Sequence, residues 1–186
     1  MAIPGFQSFF DCCVGSWVTE RTYHYLAQQH VERSHTEFII HPASPEIKRK
    51  ILEDNQQSTD QALENLPGYQ LAFETVSETG EQVSQQLNFI FVPRKIDLPR
   101  LEGDYLRDRA YEEAKPMVSH FCYHTETREL LMTTKYTQVV SVDSITLVNP
   151  HLRIRKILNY RRPLENQPLD QVVLAGFGVE QKQVKP

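Results

Sequence analysis

Two arginines two residues apart, Arg153 and Arg155, stand in the extended run Leu152-Arg153-Ile154-Arg155-Lys156-Ile157-Leu158. Alternate side chains of a strand share a face, so both guanidiniums project one way while Leu152, Ile154 and Leu158 project the other. Facing outward, the arginines form a solvated stripe over an apolar interior. Facing inward, they place two fixed cations in a cavity, at a cost that only anionic partners offset. An inward pair therefore calls for a ligand with carboxylates, an internal acid, or both. A guanidinium holds a carboxylate through two parallel hydrogen bonds, which makes arginine the fitting residue for that task. Asp143 is the candidate internal acid. It lies in the run Val139–Val148, which the Asn149-Pro150 turn would bring beside the arginine run.

A second group of candidates lies near the N-terminus. An apolar segment ends at Gly15-Ser16-Trp17, and a strand-like run carrying Arg21 and His24 follows. Trp17 reads either as the floor of a barrel or as an aromatic wall for a ring system. Arg21 reads either as a surface cation or as a further carboxylate clamp inside the barrel. Arg21 and His24 are three apart, so regular pleating puts them on opposite faces unless a bulge intervenes. His24 is either a solvated or packed side chain or a catalyst. The seven histidines and three cysteines lack metal-ligand spacing, with no CxxC and no HExxH, so no metal is expected. Cys12 and Cys13 are adjacent, which disfavours an unstrained bridge between them. There is no Gly-rich phosphate loop and no nucleophile elbow.

The elements that must position these residues are mostly strands. Phe6, Phe9, Phe10 and Cys13 recur at helical spacing and predict a short helix against one end of a barrel. Runs rich in Thr, Tyr, Val, Ile and Phe follow at 17–26, 31–41, 69–77, 83–92, 117–124, 130–137, 139–148, 152–158 and 172–180. One helix interrupts them, with Ser44 as N-cap, Pro45 at its first position, an apolar stripe of Ile47, Ile51 and Leu52, and Lys48, Arg49 and Lys50 as its wet face. Glu78-Thr79-Gly80 reads as a hairpin turn, and 93–103 as a Pro-punctuated connection. About eight to ten short strands and few helices point to a sheet closed on itself around one small ligand; a sandwich without a cavity is the competing architecture.

At 186 residues the chain is expected to be one domain, spanning 1–186, with a real core. A net charge of −4 argues against a general nucleic-acid binder. No apolar run approaches the roughly 20 residues needed to span a bilayer. The N-terminus shows no signal-peptide pattern, and three cysteines are too few for a disulfide framework. Cytoplasm or plastid stroma is the expected compartment.

The run Phe9-Phe10, Cys13-Val14-Gly15, Trp17, Arg21-Thr22 and His24 resembles the opening of the S/U-type phycobiliprotein chromophore lyases, the CpcS, CpeS and CpcU proteins. Glu32-Arg33-Ser34, Thr36-Glu37-Phe38, Asp104-Tyr105-Leu106-Arg107-Asp108-Arg109-Ala110-Tyr111, Asn149-Pro150 with Leu152-Arg153-Ile154-Arg155, and Ala175-Gly176-Phe177 resemble later segments of that family. The resemblance implies a closed antiparallel barrel of the lipocalin and fatty-acid-binding-protein type, all-β with short helices. It implies a lyase that binds a linear tetrapyrrole, phycocyanobilin or a related bilin, and joins it by a thioether to a cysteine of a phycobiliprotein subunit of the phycocyanin, allophycocyanin or phycoerythrin type. Arg153, Arg155 and Arg21 would neutralise the bilin's propionates, with Trp17, Tyr25 and Phe73 as further bilin-binding residues. Asp143 would accept from the pyrrole N–H groups, and His24 would assist proton transfer. Two positions depart from the family: Tyr25 replaces a second histidine, and the strand around Phe73 lacks a second tryptophan. These departures keep open a bilin carrier without catalysis, or one subunit of a heteromeric lyase. A homodimer and a heterodimer with a paralogous subunit are the assemblies implied.

Overall fold

The computed structural model describes residues 5–108, 115–165 and 167–183. Ten strands follow one another: β1 (Gly15–Tyr25), β2 (His30–Pro42), β3 (Gly68–Ser77), β4 (Gln82–Asp97), β5 (Arg100–Arg107), β6 (Met117–His124), β7 (Glu129–Lys135), β8 (Val139–Asn149), β9 (Leu152–Arg161) and β10 (Val172–Lys182). Each pairs antiparallel with the next, and β10 closes onto β1. The sheet is thus an up-and-down barrel with no free edge, as expected. Arg109, Ala110 and Tyr111 of the family-like segment lie outside the described residues.

Helix α1 (Phe6–Cys13) plugs one end of the barrel. Its buried stripe of Phe6, Phe9, Phe10 and Cys13 enters a cluster of aromatic rings. Phe6 stacks on Phe121 with centroids 5.6 Å apart, and Phe10 meets Phe91 at 4.6 Å. Tyr123 ties the start of the helix down by donating to the Gly5 carbonyl at 3.1 Å. Gly15 follows with φ of +120°, a conformation that side-chain-bearing residues rarely adopt, and so turns the helix into β1.

Helix α2 (Pro45–Asp54) lies outside the barrel, with Ser44 accepting from the Ile47 N–H at 3.4 Å as its cap. Ile51 and Leu52 pack with Leu66, Ile90, Val92 and Leu106. Lys48 corrects the expected wet face: it is buried, and its ammonium donates to the carbonyls of Leu63 at 2.9 Å and Leu66 at 2.7 Å. The aliphatic stem covers Gly68, and the charged end finds the carbonyl of Leu63 in the 3-10 turn Leu63–Asn65 and that of its C-cap Leu66, which satisfy two of its three donors.

The stretch 93–103 is also not a connection. β4 runs through Pro93 to Asp97 and β5 begins at Arg100. The ladder accommodates Pro93, which lacks an N–H, through a register shift between Pro93 and Lys95.

Candidate functional site

Inside the barrel is a cavity of about 490 Å³, within the range of small-ligand pockets. Phe9, Phe10 and Cys13 of α1 form its floor, and Tyr25, Glu32 and Glu81 lie toward the opposite end. Much of the wall between is aromatic, with Phe38, Tyr69, Phe73, Phe89, Phe91 and Tyr105 contributing. Such walls suit a flat conjugated ligand.

One side of this apolar space is charged. Arg153 and Arg155 on β9 and Arg21 on β1 all line the cavity. The pattern of β9 is inverted relative to a simple barrel strand, because its arginines face in while Ile154 and Leu158 remain partly exposed outside. Carboxylates on the neighbouring strands account for the inversion. Glu180 on β10 is fully buried and pairs with Arg153 Nε at 2.5 Å and with Arg21 Nη2 at 3.4 Å. Asp143 on β8 takes both Arg155 Nε at 3.1 Å and Arg155 Nη2 at 2.9 Å on a single oxygen, Oδ1. Its Oδ2 has no hydrogen-bond donor among the described residues.

The electrostatics follow from these pairs. Burial alone raises a carboxyl pKa, but Arg153, then Arg155 and Arg21, outweigh it at Glu180 and hold its pKa below the ordinary range. Burial opposes the charge of Arg155, yet Asp143 and then Glu180 overcome it and raise its pKa. Room for Arg21 comes from β10: a Cβ on Gly178 would stand 3.1 Å from Arg21 Cγ and 2.9 Å from Thr19 Oγ1.

The other sequence candidates divide. Phe73 and Tyr25 line the cavity, Tyr25 near its open end with its hydroxyl 3.5 Å from Glu32 Oε2. Trp17 does not line it. Trp17 is fully buried below, donates from Nε1 to the Cys13 carbonyl at 2.9 Å, and supports the Arg153 guanidinium 4.6 Å above its ring. It is a floor residue, the first of the two readings of this position, and a platform for an arginine; as bilin-binding wall it is not placed in the cavity lining. His24 is also corrected. Strand β1 runs without a bulge in its pairings, so Arg21, Tyr23 and Tyr25 face in while His24 is exposed on the outer face. It cannot reach a ligand in the cavity.

Cys12, Cys13 and Cys122 are free thiols. Burial pushes the Cys13 thiol up, with Arg153 opposing only in part, which makes it a poor nucleophile at neutral pH. Sequence reasoning missed Glu180, whose neighbours Phe177 and Val179 would have been taken as the inward set. It also missed Arg107, a fourth cavity arginine on β5, and the Tyr105 and Tyr136 rings beside it.

This barrel has known counterparts. The family model for CpeS-like proteins matches residues 5–183. The chain belongs to the CpeS-like family. It is 54% identical over 181 residues, covering 97% of this chain and 98% of the relative, to a protein of Synechococcus sp. (strain JA-3-3Ab) named chromophore lyase CpcS/CpeS 1. A chromophore lyase CpcS/CpeS of Thermosynechococcus vestitus is 25% identical over 149 residues, 80% of each chain. The CpeS-like fold is matched by the solved S-type phycobiliprotein lyase CPES of Guillardia theta, with a TM-score of 0.76 and 18% identity over 98% of this chain and 94% of that one. Among the described residues no helix is long and apolar enough to cross a membrane.

Proposed function

We propose that this CpeS-like protein is a phycobiliprotein chromophore lyase that takes a linear tetrapyrrole, phycocyanobilin or a related bilin, into its barrel and presents it to a cysteine of an apo-phycobiliprotein subunit. The observation that carries this reading is the cavity-lining set of Arg21, Arg153 and Arg155, paired with Glu180 and Asp143, on one side of an aromatic cavity. A bilin combines a flat conjugated chain, two propionates and pyrrole N–H groups. The rings match the aromatic wall, the propionates match the guanidiniums, and the vacant Oδ2 of Asp143 is suited to accept from the N–H groups.

In the transfer step the acceptor's thiol sulfur bonds to the ethylidene carbon of the bilin, and the thiol proton ends on the tetrapyrrole. No group leaves. The lyase contributes position: it holds one bilin conformation with the reactive carbon toward the open end and shields the rest from water. The attacking sulfur belongs to the acceptor, in keeping with the raised pKa of Cys13. The work would be done where phycobiliproteins are assembled, in cyanobacterial cytoplasm or plastid stroma.

The test is a transfer assay with the purified protein, phycocyanobilin and separate apo-α and apo-β subunits, read as red fluorescence of the denatured, gel-separated acceptor. Covalent product on one subunit above the uncatalysed level is expected. The placement of His24 outside the cavity favours a second reading, a carrier or half-lyase that needs a paralogous subunit. That reading predicts a shifted bilin spectrum without covalent product until the paralogue is added. Absence of any spectral shift would remove both.

A further inference from the structure

Four arginines line the cavity, and three of them face carboxylates. Arg107 on β5 is different. It is buried, with 8% of its surface exposed, and among the described residues no carboxylate lies within ion-pair distance of it. Its Nη2 donates to the Tyr136 hydroxyl at 3.0 Å and lies 3.6 Å from Met117 Sδ. Its guanidinium carbon lies 5.3 Å from the centroid of the Tyr105 ring and 5.7 Å from that of Tyr136. Its Nε is buried and has no hydrogen-bond partner among the described residues. Rings facing a cation compensate part of its desolvation, but they leave that donor unused.

The position adds a second fact. In the closed strand order β5 is four strands from β9 in one direction and four from β1 in the other, so Arg107 stands across the lumen from the Arg21, Arg153 and Arg155 group. In the cavity wall and directly behind it, Asp143 and Glu180 accompany the β1 and β9 arginines, and Glu32 and Glu81 lie toward the open end, so Arg107 is the lining arginine without an acid partner among the described residues.

We propose that Arg107, flanked by Tyr105 and Tyr136, is a second carboxylate clamp, which holds one acid arm of a dicarboxylate ligand while the β1 and β9 arginines hold the other. This rests on the bilin reading above and adds which residue selects for the second arm. A ligand with a single carboxylate would leave one of the two clamps empty.

The experiment compares phycocyanobilin with its dimethyl ester, which keeps the chromophore but removes both charges, by absorption titration against wild-type protein and Arg107→Gln. The wild type should prefer the free acid. In Arg107→Gln the free acid should weaken by about tenfold or more, in line with loss of a charge-assisted hydrogen bond, while the ester moves by less than about twofold. Part of the preference should persist, because the other arginines remain. An unchanged acid-to-ester ratio overturns the proposal, and so does equal weakening of both compounds, which is what a purely structural arginine would produce. If Arg107→Gln does not fold by circular dichroism, Arg107→Lys carries the same test. A lysine keeps the charge but not the fork, and at least about a threefold fall in the ratio is expected. If the wild type binds neither compound, the bilin reading itself fails and this proposal falls with it. An unchanged ratio with intact binding sinks only the proposal.

Discussion

Glu180 offers the sharpest test of how the charged wall is held. It has no exposed surface and bridges Arg153 and Arg21. Replacing Glu180 by Gln keeps the shape and removes the charge, which leaves the buried Arg153 and the half-buried Arg21 short of their partner. Breaking a buried pair from one side costs about 3–5 kcal/mol. For a chain of this length that is a fall in melting temperature of roughly 6–20 °C. The pH dependence is a second signature. The Glu180 pKa is lower in the folded protein than its ordinary value of 4.5, so its contribution is complete above that value and is lost as the pH falls through the lower folded pKa. Thermal melts of wild type and variant should therefore differ by a constant gap near neutral pH, and the gap should close below about pH 4. Bilin should raise the melting temperature of the variant more than that of the wild type, because a propionate supplies part of the missing charge. A gap under about 2 °C, or one that stays unchanged down to about pH 3, would refute the view that this pair is desolvated and coupled.

Asp143→Asn should weaken phycocyanobilin by about tenfold and reduce the red absorbance of the bound form, read by titration, because Oδ2 no longer offers an anionic acceptor to the pyrrole N–H groups. His24→Ala should leave the transfer yield in the gel assay within about twofold of wild type, since His24 lies outside the barrel. Gly103→Ala should destabilise the fold by about 1–3 kcal/mol or more in denaturant melts. The added Cβ would stand 2.1 Å from the Val92 carbonyl oxygen and 2.8 Å from Phe121 Cε1, and the backbone there cannot yield cheaply.

The barrel itself was legible because most of its strands obey ordinary rules. Thr, Tyr, Val and Ile cluster in runs, turns separate them, and the four-residue rhythm of Phe6, Phe9, Phe10 and Cys13 announced the helix that closes the floor. The site was less legible, for one physical reason. Strands β9 and β10 are inverted. Phe177 is 50% exposed and Val179 40% exposed on the outside, while Gly176, Gly178 and Glu180 face in. A hydrophobic alternation read from the chain alone assigns these faces the wrong way round. The inward arginines came from a family resemblance, not from periodicity, and Glu180 carried no signal that would have set it apart from a surface acid. Parity did speak correctly for His24, since a strand without a bulge must put it opposite Arg21. Lys48 and Pro93 misled because the features that rescue them, the carbonyls of Leu63 and Leu66 and a shifted register, are tertiary.

The pairing of arginines with internal acids bears on what kind of binder this is. Naked guanidiniums in an aromatic cavity would bind a dianion tightly and release it slowly. Here each ligand carboxylate that reaches Arg21, Arg153 or Arg155 must compete with Glu180 or Asp143 for the same donors. Part of the attraction is thus already satisfied before the ligand enters, which lowers affinity without removing orientation. The internal acids also keep the empty barrel foldable, since three unpaired cations in and behind the cavity wall would weigh heavily on a marginally stable domain. Arg107 escapes this arrangement: two rings and a hydroxyl hold it, and among the described residues no acid competes for its Nε. A wall of tempered clamps facing one untempered clamp fixes the direction in which a ligand lies while limiting how firmly it is kept. A protein that must pass its cargo to another chain needs both properties at once.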